Sequence, residues 1–168
     1  MIEVKITQEM RTRAALKSQR MGLLNNSITS GDGNMAGFLG EEVANQILKG
    51  VISNTYDYDI LSNGKKWDVK TKRCTSAPKE HYECSIAAYN TKQDCDDYAF
   101  VRIEFVDGEY KRAWFLGTYS KDQYFDDASF LIKGQIDPSN NFRVKANCYN
   151  LPIRNLKNKY GFEVDHQK

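Results

Sequence analysis

The spacing of apolar and polar positions changes twice in the first half of the chain. Gly37, Gly40, Glu41, Ala44, Ile47, Leu48 and Val51 recur at i, i+3, i+4 and i+7, which predicts a helix ending near Gly50. The period then drops to two. Tyr58, Ile60, Trp67 and Val69 fall on one face of a hairpin, and Asp57, Asp59, Asp68, Lys70 and Lys72 on the other. Asn63-Gly64 sets the register, because a two-residue turn of this kind needs positive φ at both positions. It places Ser62 opposite Lys65, Ile60 opposite Trp67 and Asp59 opposite Asp68. Upstream, Thr7 can cap a helix running to about Met21, with Met10, Ala14, Leu16 and Met21 as its apolar stripe. Asn25 to Asn34 reads as a flexible loop.

After the hairpin, Cys74 to Glu80 is a loop and His81 to Ala88 alternates as a strand. Tyr98 to Val106 and Glu109 to Leu116 flank Asp107-Gly108 as a second hairpin. Ser120 with Gln123 reads as a capping box opening a short helix near Tyr124-Phe125. Phe130 to Ile132 and Phe142 to Cys148 are predicted strands, and Pro152 to Leu156 the start of a last short helix. Trp67 and Trp114 occupy apolar strand positions and belong to the core.

Three acids break the pattern. Glu41 lies on the small, apolar face of its helix, whereas Glu42 falls with Gln46 and Lys49 on the polar side. A carboxylate on a packing face is costly unless paired, hydrogen-bonded or near a metal. Its plainer role is at the edge of the stripe or as a first-turn dipole partner. Asp59 and Asp68 repel at cross-strand distance, and a divalent cation reverses that sign. Lys70 returns to the same face two residues later. A solvated polar face is the alternative for this hairpin.

Composition narrows the setting. The 168 residues fit one domain, 1–168, with residues 1–35 as a basic amino-terminal helix and flexible loop. Net charge is only +2, so the distribution matters more than the total. Lys5, Arg11, Arg13, Lys17 and Arg20 crowd the amino terminus, and Lys65, Lys66, Lys70, Lys72 and Arg73 the hairpin, with acid concentrated from Asp94 to Asp127. That distribution suits a polyanion as partner. The expectation is a soluble, cytoplasmic protein with no signal peptide or membrane-spanning run. Cys74, Cys84, Cys95 and Cys148 lack zinc-type spacing and read as reduced thiols. His81 with Cys84, and the Asp94–Asp97 run, are weaker candidates for thiol chemistry and for Ca²⁺. His166 lies in the tail.

The order helix, strand, strand, strand, with Glu41 on the helix, an Asp on the first strand and Asp68-Val69-Lys70 on the next, resembles the PD-(D/E)xK nuclease superfamily, also called restriction-endonuclease-like. Gly37-Phe38-Leu39-Gly40-Glu41-Glu42-Val43-Ala44 matches its GxxGExxA helix, and Asp68-Val69-Lys70, followed by Thr71, its DxK motif. The proline that usually precedes the first acid is missing from Tyr56-Asp57-Tyr58-Asp59, and the turn register favours Asp59 over Asp57. The resemblance implies an α/β (α+β) core, a mixed β-sheet flanked by helices. It implies Mg²⁺ (or Mn²⁺) held by Asp59, Asp68 and the Val69 carbonyl. Glu41 would bind a second metal or its water, and Lys70 would act on the attacking water. Lys72, Arg73, Arg11 and Arg13 would touch phosphates of DNA. A homodimer, an RNA substrate and a catalytically silent binding or assembly module all stay open.

Overall fold

In the computed structural model, which describes residues 1–24, 32–53 and 55–162, both predicted turns close with paired positive φ angles. Asn63 and Gly64 take 51° and 73°, and Asp107 and Gly108 take 53° and 75°. Such turns match the right-handed twist of the strands they join. Accordingly β3 (Ile60–Ser62) pairs antiparallel with β4 (Lys65–Cys74), with Ile60 opposite Trp67 and Ser62 opposite Lys65. The second turn joins β6 (Asp97–Val106) to β7 (Glu109–Ser120).

Two short strands that the alternation does not reveal, β1 (Ile2–Val4) and β2 (Val51–Ile52), complete a six-stranded sheet of order β1-β7-β6-β4-β3-β2. The sheet is mixed, because β4 and β6 run parallel, with Asp68 beside Tyr98 and Lys72 beside Arg102. Helices α1 (Gln8–Leu24) and α2 (Asp32–Leu48) cover one face, where Met10, Ala14, Leu39, Val43, Ile60, Trp67, Val101 and Phe115 form a buried cluster. The other face carries α3 (Lys121–Asp127) and a three-stranded sheet of order β5-β9-β8 (Glu83–Ala87, Cys148–Pro152, Ser129–Leu131). Cys84, Ile86, Tyr98, Phe100, Trp114, Leu116, Tyr124 and Leu151 pack between them. The architecture is mixed α+β, with three α-helices among the described residues.

Local chemistry explains most boundaries. Thr7 does cap α1, its Oγ1 accepting the Met10 N–H at 3.2 Å. The expected stripe is only half right, since Leu16 and Met21 are exposed while Met10 and Ala14 are buried. Of the predicted Asn25–Asn34 loop, residues 25–31 lie outside the described residues, as does His166, and Asp32 to Asn34 are already helical. The predicted capping box is absent: Ser120 precedes α3 without a side-chain cap bond. Nor is Phe142 to Cys148 a strand. Asp137 collects the Ser139 N–H and hydroxyl and the Asn150 amide, and Asn140 accepts the Phe142 N–H. Such side-chain bonds compete with a ladder and fold this segment into turns. The last strand falls at Cys148–Pro152 and a single 3₁₀ turn, Ile153–Asn155, replaces the expected helix. The four cysteines are free thiols. No helix among the described residues is long and apolar enough to cross a membrane.

Candidate functional site

A glycine sets the distance between helix α2 and strand β4. A Cβ on Gly40 would lie 1.7 Å from Thr71 Oγ1, so only glycine lets the helix backbone come this close. The next residue, Glu41, is thereby held against the hairpin and is 8% exposed. The Asp59 N–H donates to the Trp67 carbonyl at 2.8 Å, which extends the antiparallel pairing one residue beyond β3 and sets Asp59 beside Asp68. Asp59 Oδ2 accepts the Val69 N–H at 2.7 Å. Asp57 leaves the ladder and accepts the Asp94 N–H at 3.2 Å. Of the two aspartates that the sequence left in competition, only Asp59 therefore shares a cluster with Asp68.

Lys70 closes the group from the strand side. Its Nζ lies 2.5 Å from Asp68 Oδ2 and donates to Gln93 Oε1 at 3.2 Å. The Asp68 contact is one of charge, not of aligned hydrogen bonding, so that buried oxygen has no directed donor. On the helix side Lys17 Nζ stands 2.5 Å from Glu41 Oε2. Lys17 and Gln93 were not singled out from the sequence. For Lys17 a signal existed: Arg13 and Lys17, one helical turn apart, match Glu41 and Glu42 on the neighbouring helix.

All three carboxyls have raised pKa values, and burial is the largest cause in each. Burial pushes Asp59 up to about 6, the charge of Glu41 adds to it, and the Val69 N–H opposes it. Burial also pushes Asp68 up to about 6, against the pull of Lys70 and with the push of Asp59. Glu41 is raised by burial, with Lys17 opposing. A cluster that holds its anions at such cost is short of positive charge.

Among the described residues no three His, Cys, Asp or Glu side chains converge as a ready metal cage. The donor set nevertheless fits a hard cation. Mg²⁺ keeps several waters and takes one or two carboxylates, and Asp59 and Asp68 supply two neighbouring ones with oxygen donors only.

The phosphate-contact candidates separate. Arg11 donates to the Tyr110 carbonyl at 2.8 Å, and Arg13 makes a two-pronged contact with Glu42 at 2.9 and 2.8 Å. Glu42 is thus a buried partner of α1 and not part of the polar face expected for it. The basic hairpin and the acidic run, expected to lie apart, meet: Lys65 pairs with Asp97 and Lys66 with Asp94, each at 2.9 Å. Arg73 lies 5.0 Å from the Phe105 ring, on the strand face opposite Lys70. Lys72 remains exposed on the same face as Lys70. At its Asp68 end that face is not solvated: Asp68 is 4% exposed, with Asp59, Lys70, Cys95 and Tyr98 around it. No protein-family model matches the chain, and no curated protein sequence matches it.

Proposed function

We propose that the chain is a Mg²⁺-dependent (or Mn²⁺-dependent) nuclease that hydrolyses phosphodiester bonds of DNA, as an endonuclease, on a restriction-endonuclease-like core. One observation carries the reading: a buried helix glutamate, two adjacent hairpin aspartates and a lysine on the same strand share one cluster, at a desolvation cost that packing alone would not select. Asp59, Asp68 and the Val69 carbonyl would hold the metal ion, and Glu41 a second ion or its water. When bound, the cation supplies Lewis-acid polarisation of a phosphate oxygen.

The protein's own groups do the rest. Lys70, as an ammonium, orients the attacking water and stabilises charge developing on the phosphate oxygens. Asp68 keeps that ammonium in place, and Gln93 gives it a second anchor. Asp59 holds its orientation through the Val69 N–H. Water adds to phosphorus and releases a proton to bulk water, the bond to the leaving oxygen breaks, and that oxygen takes up a proton from bulk water. Contacts to flanking phosphates would position the strand without reading its sequence. A homodimer would let two such sites cut both strands.

The test is cleavage of duplex, single-stranded, flap and four-way-junction DNA with Mg²⁺, comparing wild type with Asp68→Ala and Lys70→Ala. Metal-dependent products from wild type and none from the variants support the reading, whereas uncut substrate in every lane refutes it. RNA of the same sequence tests the choice of sugar. A second reading, a catalytically silent nucleic-acid-binding or assembly module, is favoured by the lysine ammonium groups against Glu41 and Asp68. It predicts nucleic-acid binding that no divalent cation changes.

A further inference from the structure

Two cations on this face beyond Lys70 have no carboxylate in direct contact among the described residues. The parallel pairing of β4 and β6 sets Lys72 beside Arg102, so two like charges leave the same face of the sheet as neighbours, an arrangement that costs stability. Arg102 is 7% exposed. Its Nη2 donates to the Glu83 carbonyl at 2.9 Å, and its guanidinium lies 5.1 Å from the Tyr82 ring. Among the described residues neither Arg102 nor Lys72 forms an ion pair with a carboxylate. A buried guanidinium without an anion is costly. The Lys72 ammonium, which keeps solvent access, has its pKa lowered by partial withdrawal from water and then by Arg102.

These groups line a cavity of about 140 Å³ between the two sheets, with Lys70, Glu83 and Phe100 among its other walls. One water needs only about 10–15 Å³, so a larger group fits. Counting charge identifies its kind. Lys70 is matched by Asp68, and Lys72 and Arg102 against Glu83 leave one positive charge, the complement of one phosphodiester. Spacing agrees. Lys72 lies two residues beyond Lys70 on the same strand, about 6.6 Å at the rise of a β-strand, which is the scale separating consecutive phosphates of one nucleic-acid strand.

We propose that Lys72 and Arg102 form a pocket that holds the phosphodiester next to the scissile one, and so fix which bond of the strand meets Lys70. The inference rests on the nuclease reading. Lys72 meets the phosphate at the solvent side, and Arg102 receives it from below. Neither touches a base edge, so the pocket sets register and not sequence.

The test is binding without cleavage. Fluorescence anisotropy in EDTA follows a labelled single strand and a labelled duplex on wild type, Lys72→Gln and Glu83→Gln. Lys72→Gln is expected to weaken binding about tenfold and to flatten the slope of log affinity against log salt by about 0.7–0.9. Glu83→Gln is expected to tighten it. A scan with one uncharged methylphosphonate per oligonucleotide should show an internal position that weakens wild type but costs Lys72→Gln nothing further. Because Arg102 is buried and its replacement endangers the fold, the surface variant and the neutral phosphates carry the test.

An unchanged salt slope in folded Lys72→Gln, or equal methylphosphonate losses in both proteins, overturns the pocket. Loss confined to removal of a terminal phosphate overturns its internal placement. If binding depends on Lys72 but Asp68→Ala still cleaves, the nuclease assignment of the acids fails and the pocket survives. If no nucleic acid binds at all, both fall.

Discussion

Neutralising Asp59 should make the metal-free protein more stable at neutral pH while abolishing its chemistry. Burial, with Glu41 adding to it, moves the Asp59 carboxyl from 3.8 to about 6, which disfavours the ionised form by about 3 kcal/mol. A carboxyl whose folded pKa lies above its unfolded value binds its proton more tightly in the folded state. Its stabilising contribution is therefore complete below about 3.8, is lost as pH rises from there through about 6, and stays lost above. Asp59→Asn removes that penalty and keeps an oxygen to accept the Val69 N–H, a bond of 2.7 Å in the wild type.

Asp68 is also raised to about 6, and each aspartate acts on the other's titration, so they titrate as a pair and the gain is smaller than the full figure. A gain of about 1–3 kcal/mol at pH 8 is expected, worth roughly 2–10 °C in Tm for a chain of this size. It should shrink toward zero near pH 4. Denaturant and thermal melts of both proteins in EDTA across that range measure it. A destabilised Asp59→Asn at pH 8, or a gain of equal size at both ends, would refute the electrostatic argument.

The same cluster makes four other predictions. Mg²⁺ should raise the Tm of wild type, by an amount equivalent to about 2.7 kcal/mol at a hundredfold excess over Kd, and leave Asp68→Ala unmoved. Its affinity should rise with pH through about 6, because Asp59 and Asp68 must lose protons to act as ligands, and calorimetric titration at several pH values checks this. Gly40→Ala should cost about 1–3 kcal/mol and most of the cleavage activity, since its Cβ would lie 1.7 Å from Thr71 Oγ1. Adding Thr71→Ala should recover part of the loss in a denaturant melt. Lys17→Gln should cost about 1–3 kcal/mol near pH 7, by leaving the buried Glu41 carboxylate without its cation partner, and little near pH 4, where that carboxyl is protonated. Equal losses at the two pH values would show that Lys17 acts by packing instead.

How much of the site could be read from the chain depends on how local each signal is. Asn63-Gly64 fixes its turn because few residues tolerate positive φ, and that alone gave the register of Ile60 with Trp67 and the adjacency of Asp59 and Asp68. The helical period of α2 put Glu41 on the packing face. It misassigned Glu42, because a helix that packs against both a sheet and a second helix buries more of its circumference than one stripe. The salt bridge from Arg13 to Glu42 is the result.

The two hairpin turns and the inward-facing Glu41 were legible in the chain, because they depend on backbone preferences and periodicities within a few residues. What those residues meet is set by pairings between distant segments. The parallel pairing of β4 with β6, which sets Lys72 beside Arg102, joins segments some thirty residues apart that no local turn connects. The second sheet made Lys70 and Lys72 part of a cavity wall, and Asp97 and Asp94 of the acidic run paired with Lys65 and Lys66 of the hairpin. Those outcomes rest on burial and on long-range charge, and neither is a property of any short stretch of chain.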